Sequence, residues 1–582
     1  MQTEPNHKGN MKRLGLSFLF LFSCTALLSV SDLYAQQGDA QSNLLPEIDP
    51  QDIEIRSEFT ARFPGLRRQP ILGFNPEPSV YQVDPNRQPF METDEEVVAN
   101  LPITDLSRPA PPAYDPLHYE EEIRAFGRAG AGSFVSPELE FWGFNRFSQT
   151  SYASGRLDYH SSDGHLDTEN SSFRFFDADA EYATKINSNT SLKLLGGAES
   201  SFNRLFQLDN LNTLLVDVPP GPRKKYTGVN AGAALDQYKN SIEGWNADIG
   251  VRWFDMTMEA GDIGGSAAET VFSGDFEKEW AGSRLQETYG LYASGRGGSY
   301  NLRSQGNNNW LTLQAGGQYS RLLDYSTQVD AGAGAVYTSN PFEDKVYPGF
   351  SLSIKHWIGD NLTISGQLSG SPKVQTIENL HNLNRFLNHQ TPLRHTYRTE
   401  AGGSINLEYL PGSSMYARVG YMQAQHYAYF GRSALPSSNQ SGYYRINYMD
   451  ANKVTGEVGA THQLVPEKFW IDARVYVQQP KLSNGNDIPF EESWGVNSGA
   501  SAKFFEKLRI EAWADYVSER TALSGTTLGG FFMLGGQVDI QITDRIGVYA
   551  KMKNLLSQEY EIWDGYEERP FQAYGGVTIK LD

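Results

Sequence analysis

The chain has 582 residues, enough for several soluble domains or for one large β-barrel. Its formal net charge of -20 argues against nucleic acid as a partner, because phosphate binding needs an excess of Lys and Arg. The counts of 56 Gly, 31 Tyr and 31 Phe are high, as is typical of curved strands flanked by aromatic girdles.

An apolar run near the N-terminus has the form of a secretory signal peptide. This run, residues 14–30, follows Met11-Lys12-Arg13 and precedes Leu33-Tyr34-Ala35. The pattern predicts a signal peptide over residues 1–35, with Met11 as an alternative start. The only cysteine, Cys24, lies inside the run, and the alternative is a lipoprotein signal acylated there. No later stretch approaches the roughly 20 consecutive apolar residues that a membrane helix needs.

Residues 36–119 form a second segment, which contains 13 prolines. That density excludes regular helix or β-ladder over most of its length, although residues 52–56 favour a short strand and residues 92–99 one or two helical turns. Large apolar side chains recur in it: Phe59, Phe63, Leu66, Ile71, Phe74, Tyr81 and Phe90. We predict an extended arm that packs in a barrel lumen or on a periplasmic or outer-membrane protein partner. The alternative is a disordered periplasmic linker.

From residue 120 to residue 582 apolar and polar side chains alternate with a period of two, which is typical of strands with two unlike faces. The predicted strands are 121–131, 138–148, 152–162, 172–185, 191–201, 226–238, 242–257, 268–280, 284–295, 309–322, 325–338, 345–357, 360–372, 393–410, 413–428, 441–464, 467–480, 490–506, 508–520, 524–542, 544–556 and 569–582. These 22 strands form an even number in the range of bacterial outer-membrane barrels. The predicted fold is all-β, a transmembrane antiparallel barrel preceded by a signal peptide and a Pro-rich arm.

One predicted strand shows its two faces plainly. Asp177, Asp179 and Glu181 share one face, and Ala178 and Ala180 share the other. A charged side chain in the lipid costs about 2–4 kcal/mol or less, depending on depth and sign. We therefore expect the carboxylates to line a wet lumen and the alanines to face lipid.

The connections alternate between short turns and long loops. Predicted short turns lie at 187–189, 359–360, 411–413, 466–468, 506–507 and 543–544, and long loops at 202–225, 296–308, 373–392, 429–440, 481–489 and 557–568. Short turns of such barrels face the periplasm and long loops the exterior. Both ends of the predicted barrel therefore lie on the periplasmic side.

Motifs that carry chemistry are scarce. His381, His389 and His395 lie in or beside one long loop, where they either bind a metal or are polar loop residues around a helical turn. The predicted helical turn is built on Leu380, Leu383 and Leu387. The acidic group Asp564, Glu567 and Glu568 is either a calcium site or an ordinary solvated loop. We favour the second reading in both cases, predict no enzyme, and assign no catalytic, cofactor, metal or ligand-binding residues.

The last hairpin carries the most specific pattern. Two alternating strands, 546–553 and 571–581, are joined by a connection that contains Asn554-Leu555-Leu556 and, further on, Tyr560-Glu561-Ile562-Trp563-Asp564-Gly565-Tyr566. This hairpin resembles the final hairpin of TonB-dependent outer-membrane receptors. The resemblance implies a barrel in the outer membrane of a Gram-negative envelope, with ligand uptake through its lumen.

The resemblance covers the barrel and does not extend to the arm. Residues 36–119 are fewer than the family's plug domain contains, and they show neither plug motifs nor a TonB box. An alternative is therefore a plugless barrel that acts as a structural or interaction subunit of an outer-membrane assembly. A diffusion pore is a further alternative.

Overall fold

A computed structural model describes residues 124–166, 171–209, 217–240, 243–284, 286–302, 306–390, 392–432, 443–466, 468–505, 507–522, 525 and 527–581. The predicted signal peptide and arm lie outside these residues. Within the described part, no helix is long and apolar enough to cross a membrane.

Twenty-two strands form one closed antiparallel barrel, in which each strand pairs with its neighbours along the chain and the first strand also pairs with the last. They are β1 Ala125–Gly132, β2 Ser136–Ser148, β3 Ser151–Ser162, β4 Phe173–Asn187, β5 Thr190–Arg204, β6 Arg223–Tyr238, β7 Gly244–Glu259, β8 Gly265–Ala281, β9 Thr288–Leu302, β10 Gly306–Asp324, β11 Thr327–Asn340, β12 Glu343–Ile358, β13 Leu362–Lys373, β14 Thr396–Leu410, β15 Ser413–Arg432, β16 Tyr444–Val465, β17 Phe469–Leu482, β18 Trp494–Phe504, β19 Leu508–Val517, β22 Phe531–Gln541, β23 Ile546–Lys553 and β26 Gln572–Leu581.

Smaller elements lie in the connections. One helix, α1, spans Ile377–Leu383, and two 3-10 turns span Phe206–Leu208 and Gly261–Ile263. Two short hairpins pair β20 Arg520–Thr521 with β21 Thr527–Leu528, and β24 Glu561–Trp563 with β25 Tyr566–Glu567. These elements lie outside the barrel sheet, and α1 belongs to the connection between β13 and β14.

The predicted fold class and strand number are confirmed, and each of the 22 predicted strands matches one observed barrel strand. The predicted long loop at 296–308 is wrong, because β9 continues to Leu302 and β10 begins at Gly306. In that stretch Gly297 pairs with Leu311, and the ladder goes on beyond it. Glycine and asparagine favour turns, but they can also extend a ladder whose neighbouring strands continue. The predicted strand 524–542 begins only at Phe531.

The two ends of the barrel differ. At the end where β1 begins and β26 ends, the predicted short turns are confirmed, and we name it the turn end. The opposite end carries the longest connections, although β11 and β12 are joined there by only two residues, and we name it the loop end. Because the strand number is even, both termini of the barrel lie at the turn end.

The outer surface of the barrel is apolar. On β7 the side chains of Ile249, Val251 and Trp253 point outward and are exposed, and on β8 so are Phe272 and Phe276. The residues between them point into the barrel, as a period of two requires. An apolar outer band around a barrel with a polar interior is typical of outer-membrane strands.

Candidate functional site

One connection of the loop end folds back into the barrel. It joins β13 to β14, and we name residues 374–395 the cap loop. Its helix α1 begins after Thr376, whose hydroxyl accepts a hydrogen bond from the Asn379 amide at 3.1 Å, as an N-cap does. Ile377 and Leu380, three positions apart on one helix face, are fully buried. α1 therefore packs through an apolar face against the barrel interior.

The cap loop contacts strands on opposite sides of the lumen. The Tyr226 hydroxyl, on β6, donates a hydrogen bond to the Arg385 carbonyl at 3.1 Å. On the far side, the Asn388 amide donates to the Tyr444 carbonyl, on β16, at 2.8 Å. Strands β6 and β16 are ten places apart in a ring of 22 strands. The cap loop therefore crosses the lumen.

Apolar side chains from several loops fill the space around the cap loop. Phe386 stacks on Tyr566, with ring centroids 3.3 Å apart and planes 10° apart. The buried cluster is made of Leu205, Phe206, Leu208, Val218, Tyr226, Phe254, Met256, Met258, Ala260, Ala267, Tyr300, Leu302, Trp310, Ile377, Leu380, Leu387, Leu393, Tyr443, Tyr444, Ile446 and Tyr566. Burial of one large apolar side chain stabilises a fold by about 1.5–3 kcal/mol. The cluster is thus a packed barrier across the loop end.

Charged side chains from the barrel wall fasten α1. The Arg252 guanidinium, on β7, donates through Nε and Nη2 to the two carboxylate oxygens of Glu378. The Glu269 carboxylate, on β8, accepts the Ile377 amide at 2.7 Å and the Trp310 indole N–H at 2.8 Å. A carboxylate at the start of a helix satisfies amides that have no partner within the helix. The wall thus sets both the position and the orientation of α1.

A third fastening is a buried lysine. The Lys224 side chain, on β6, is fully buried, and its Nζ donates to the Leu387 carbonyl at 2.7 Å. Nζ also lies 2.9 Å from Nδ1 of His381, within hydrogen-bond distance. The pKa of His381 is well below its usual value. Burial is the largest cause, and electrostatic repulsion from Lys224 and His389 adds to it. The imidazole in the closed cap is therefore neutral.

The structure brings the three histidines of the predicted long loop into the cap interior. All three are buried, and His395 packs edge-on against the Trp310 ring, 5.0 Å between centroids, while its Nδ1 accepts the Gln375 amide at 3.1 Å. Among the described residues, no group of three or more His, Cys, Asp or Glu side chains is placed to hold a metal ion. The predicted helical turn is confirmed for Leu380 and for Leu383, which is exposed, whereas Leu387 lies beyond the end of α1.

One wall of the lumen below the cap loop is acidic. Glu199 pairs with Asp177 across β4 and β5 and lies 3.4 Å from Arg252, which holds the cap loop. The face with Asp177 and Asp179 is therefore the lumen face, as predicted, and Ala178 is on the outer face. We name the lumen carboxylates of β4–β8 the acidic wall: Asp177, Asp179, Glu181, Glu199, Asp236, Asp248, Asp275, Glu277 and Glu279.

The opposite wall borders a cavity of about 1080 Å³. Leu380 and Leu383 of the cap loop reach its edge, and strands β12–β17 line most of the rest. Its charged lining contains six bases and three acids: Lys355, Lys373, Arg398, Arg418, Lys453 and Arg474, with Glu400, Glu457 and Glu492. The lumen is thus polar, and its two sides differ in the sign of their excess charge.

The barrel resembles solved outer-membrane receptors. The FrpB iron transporter from Neisseria meningitidis (F5-1 variant) matches with a TM-score of 0.64 at 9% identity, over 80% of this chain and 83% of that one. The copper transporter OprC matches with a TM-score of 0.62 at 12% identity, over 79% and 81%. The ferric yersiniabactin uptake receptor FyuA from Yersinia pestis matches with a TM-score of 0.61 at 12% identity, over 80% of this chain and 81% of that one.

The fold is that of a TonB-dependent receptor barrel. The resemblance that the terminal hairpin predicts is therefore confirmed for the barrel. No protein-family model and no curated protein matches the sequence. At identities of this size the shared feature is the receptor-barrel fold.

Sequence reasoning missed the residues that fasten the cap loop. Arg252 and Glu269 lie on predicted strands, where a lumen charge that holds a loop looks like any other lumen charge, and Lys224 lies in the predicted long loop 202–225. The one local signal was Glu378, an acidic residue directly after the N-cap region of a short apolar helix. Their partners lie between 108 and 163 residues away along the chain.

Proposed function

We propose that this chain is an outer-membrane barrel that takes up a ligand through a lumen gated by the cap loop. The observation that carries the proposal is the cap loop itself, which crosses the lumen between β6 and β16 above a polar cavity. A diffusion pore needs an unobstructed path, and the packed cluster at the loop end obstructs it. The apolar outer band supports the membrane location, with the loop end outside and the turn end in the periplasm.

The proposal requires that the cap loop move. Its fastenings suit such a movement, because ion pairs and hydrogen bonds to the wall can exchange for bonds to water or to a ligand. The similar structures are an iron transporter, a copper transporter and a ferric yersiniabactin uptake receptor. We propose only the uptake of a ligand for this chain.

The first test measures whether the cap loop closes the lumen from outside. Asp179→Cys, on the acidic wall, is combined with replacement of residues 376–390 by a short Gly-Ser linker. Intact cells are then treated with a thiol reagent too polar to cross the membrane. We expect slow labelling of Asp179→Cys alone and at least tenfold faster labelling without the cap loop. Equal rates in the two proteins contradict the gate.

The second test separates uptake from a structural or interaction role. Leu387 and Tyr444 form a β-bridge between the cap loop and β16, a spacing that a disulfide can join. Cells carrying Leu387→Cys with Tyr444→Cys should grow like cells that lack the protein and recover with a mild reductant. Each single cysteine variant is the control. Normal growth of the locked cells, in a host that needs the protein, favours the structural role.

A further inference from the structure

One arginine of the cap loop takes no part in fastening it. The Arg385 guanidinium lies over the Phe175 ring of β4, 4.0 Å from its centroid, and forms no hydrogen bond or ion pair with any residue that the structure describes. The other arginine of the cap loop, Arg394, lies 3.3 Å from the Glu343 carboxylate. Stacking on a ring holds a guanidinium in place and leaves its N–H groups free to donate. The N–H groups of Arg385 are therefore available to a ligand.

A second arginine stacks on the neighbouring ring. Phe173 and Phe175 lie two positions apart on the lumen face of β4, with ring centroids 5.6 Å apart. The Arg569 guanidinium, in the connection before β26, lies 4.8 Å from the Phe173 centroid. Its Nη1 donates to the Tyr574 hydroxyl at 3.0 Å, and its Nε and Nη2 have no acceptor in the described part of the chain. We name Arg385 and Arg569 the arginine pair.

The arginine pair carries more positive charge than its surroundings offset. Enclosure by the surrounding protein lowers the pKa of Arg385; attraction to Glu568 and Tyr226 opposes this lowering, and repulsion from Arg569 adds to it. Glu568 attracts both guanidiniums. Water reaches the site, because Arg385 is exposed and Arg569 is half-buried. Two cations thus share the Glu568 carboxylate, and an added anion offsets the remaining charge.

The chemistry of the arginine pair indicates the kind of group that it binds. A guanidinium presents its N–H groups in a fixed fork that matches two oxygens of a carboxylate or phosphate. We propose that the arginine pair binds an oxyanion group, a carboxylate or a phosphate, of the ligand that the barrel takes up. The inference rests on the proposed function only in making this solute the transported ligand. Phe175 shares its face of β4 with Asp177, which points into the lumen, so lipid headgroups outside the barrel do not reach the site.

The site joins two different connections. Arg385 belongs to the cap loop, and its carbonyl accepts the Tyr226 hydroxyl of the wall. Arg569 belongs to the connection that ends at β26. An oxyanion held by both guanidiniums is bound best when the two connections lie together, as they do in the closed barrel. The bound ligand therefore stabilises the closed cap loop.

Charge keeps the bound oxyanion at the loop end. Asp177 is the next residue after Phe175 on the lumen face, about 7 Å further into the barrel, and it begins the acidic wall. Asp158 of β3 lies directly beside it across the two strands. Both carboxylates repel an anion that moves deeper into the lumen. The oxyanion is therefore held beside the cap loop.

Binding of inorganic phosphate to the purified full-length protein, in a phosphate-free detergent, tests the site. Broadening of the phosphorus NMR resonance of phosphate reports weak binding directly. We expect broadening that falls at least threefold in Arg385→Gln with Arg569→Gln. Arg394→Gln, which removes a charge from the cap loop outside the site, is the control and should keep the broadening. Equal broadening in the double variant and the unaltered protein overturns the proposal, as does the absence of broadening in the unaltered protein.

Protease cleavage within the cap loop tests the coupling to closure. Saturating phosphate should slow cleavage at least threefold relative to chloride at equal ionic strength. Arg569→Gln, which lies outside the cleaved loop, should remove this protection, and Arg394→Gln should retain it. Phosphate that binds at the arginine pair without protecting the cap loop overturns the coupling. Failure of the gate itself is distinguished by the labelling of Asp179→Cys, which is measured without phosphate.

Discussion

Arg252 and Glu378 form a bidentate ion pair inside the lumen, although 126 residues separate them along the chain. One lies on β7 and the other in α1, so the pair joins the cap loop to the barrel wall. The same guanidinium lies 3.4 Å from Glu199. Arg252 therefore lies beside two neighbouring carboxylates, whose mutual repulsion it offsets.

Arg252→Ala should loosen the cap loop. Glu378 is left without its partner and near Glu199, which should cost the closed state roughly 1–3 kcal/mol, or a factor of about 5 to 150 in the closed-to-open ratio. Protease cleavage within the cap loop measures that ratio. The double variant Arg252→Ala with Glu378→Gln should recover part of the protection, because it removes the unpaired charge. Unchanged cleavage in Arg252→Ala contradicts the role of the ion pair.

The strands could be predicted because their pattern is local. Asp177, Asp179 and Glu181 alternate with alanine, and that alternation alone assigns each of them to a face. The position at which a strand ends depends more on distant residues, as the stretch around Gly297 demonstrates. There the residues look like a turn, and only pairing with β10 makes them a ladder.

The cap loop could be predicted only in part. Thr376 and the spacing of Ile377 and Leu380 indicate a short helix. Nothing local places this helix inside the barrel, because the partners of the loop are supplied by distant strands. The bond between Lys224 and His381, for example, spans 157 residues of sequence.

Acid should open the cap loop. Burial lowers the pKa of His395 to about 4 and that of His381 well below its usual value. An undocked cap loop takes up protons below about pH 6.5, whereas the docked one does not. The contribution of His395 to the stability of the closed state is therefore full above about pH 6.5 and is lost as the pH drops toward 4, by up to roughly 3 kcal/mol.

The rate of cap-loop cleavage at pH 7.5, 6 and 4.5, by a protease active across that range, measures this effect. We expect cleavage to rise as the pH falls, after correction for the activity of the protease on an unfolded substrate. His395→Gln, which cannot gain a proton, should flatten the dependence. A cap loop equally protected at pH 4.5 and 7.5 contradicts the assignment of these two histidines.

Cysteines at adjacent positions should report the two faces of β4. Asp179→Cys in detergent-solubilised protein should react with a water-soluble thiol reagent, and Ala178→Cys should react at least tenfold more slowly. Asp179 belongs to the lumen face shared with Glu199, and Ala178 to the face covered by lipid or detergent. The reverse order of rates means that the register is shifted by one residue.

The arm should be dispensable for barrel folding and necessary for sealing or for binding a partner. The closing pair of strands needs nothing before Arg124, whose amide donates to the Leu581 carbonyl at 2.7 Å, and β1 pairs with β26 over its full length. A chain in which the signal peptide is joined directly to residue 120 should therefore assemble as a heat-modifiable barrel. Because the cap loop is a second barrier, the loss of the seal should be clearest when residues 376–390 are also replaced.

Planar-bilayer conductance in KCl distinguishes the two barriers. The chain with both changes should conduct at least tenfold more than the chain with either change alone, because current must pass both ends of the lumen. Failure of the shortened chain to assemble makes the arm part of the folding unit. If the full arm and the shortened one give equal conductance in the cap-replaced background, and no copurifying protein is lost with the arm, residues 36–119 are a linker and seal nothing.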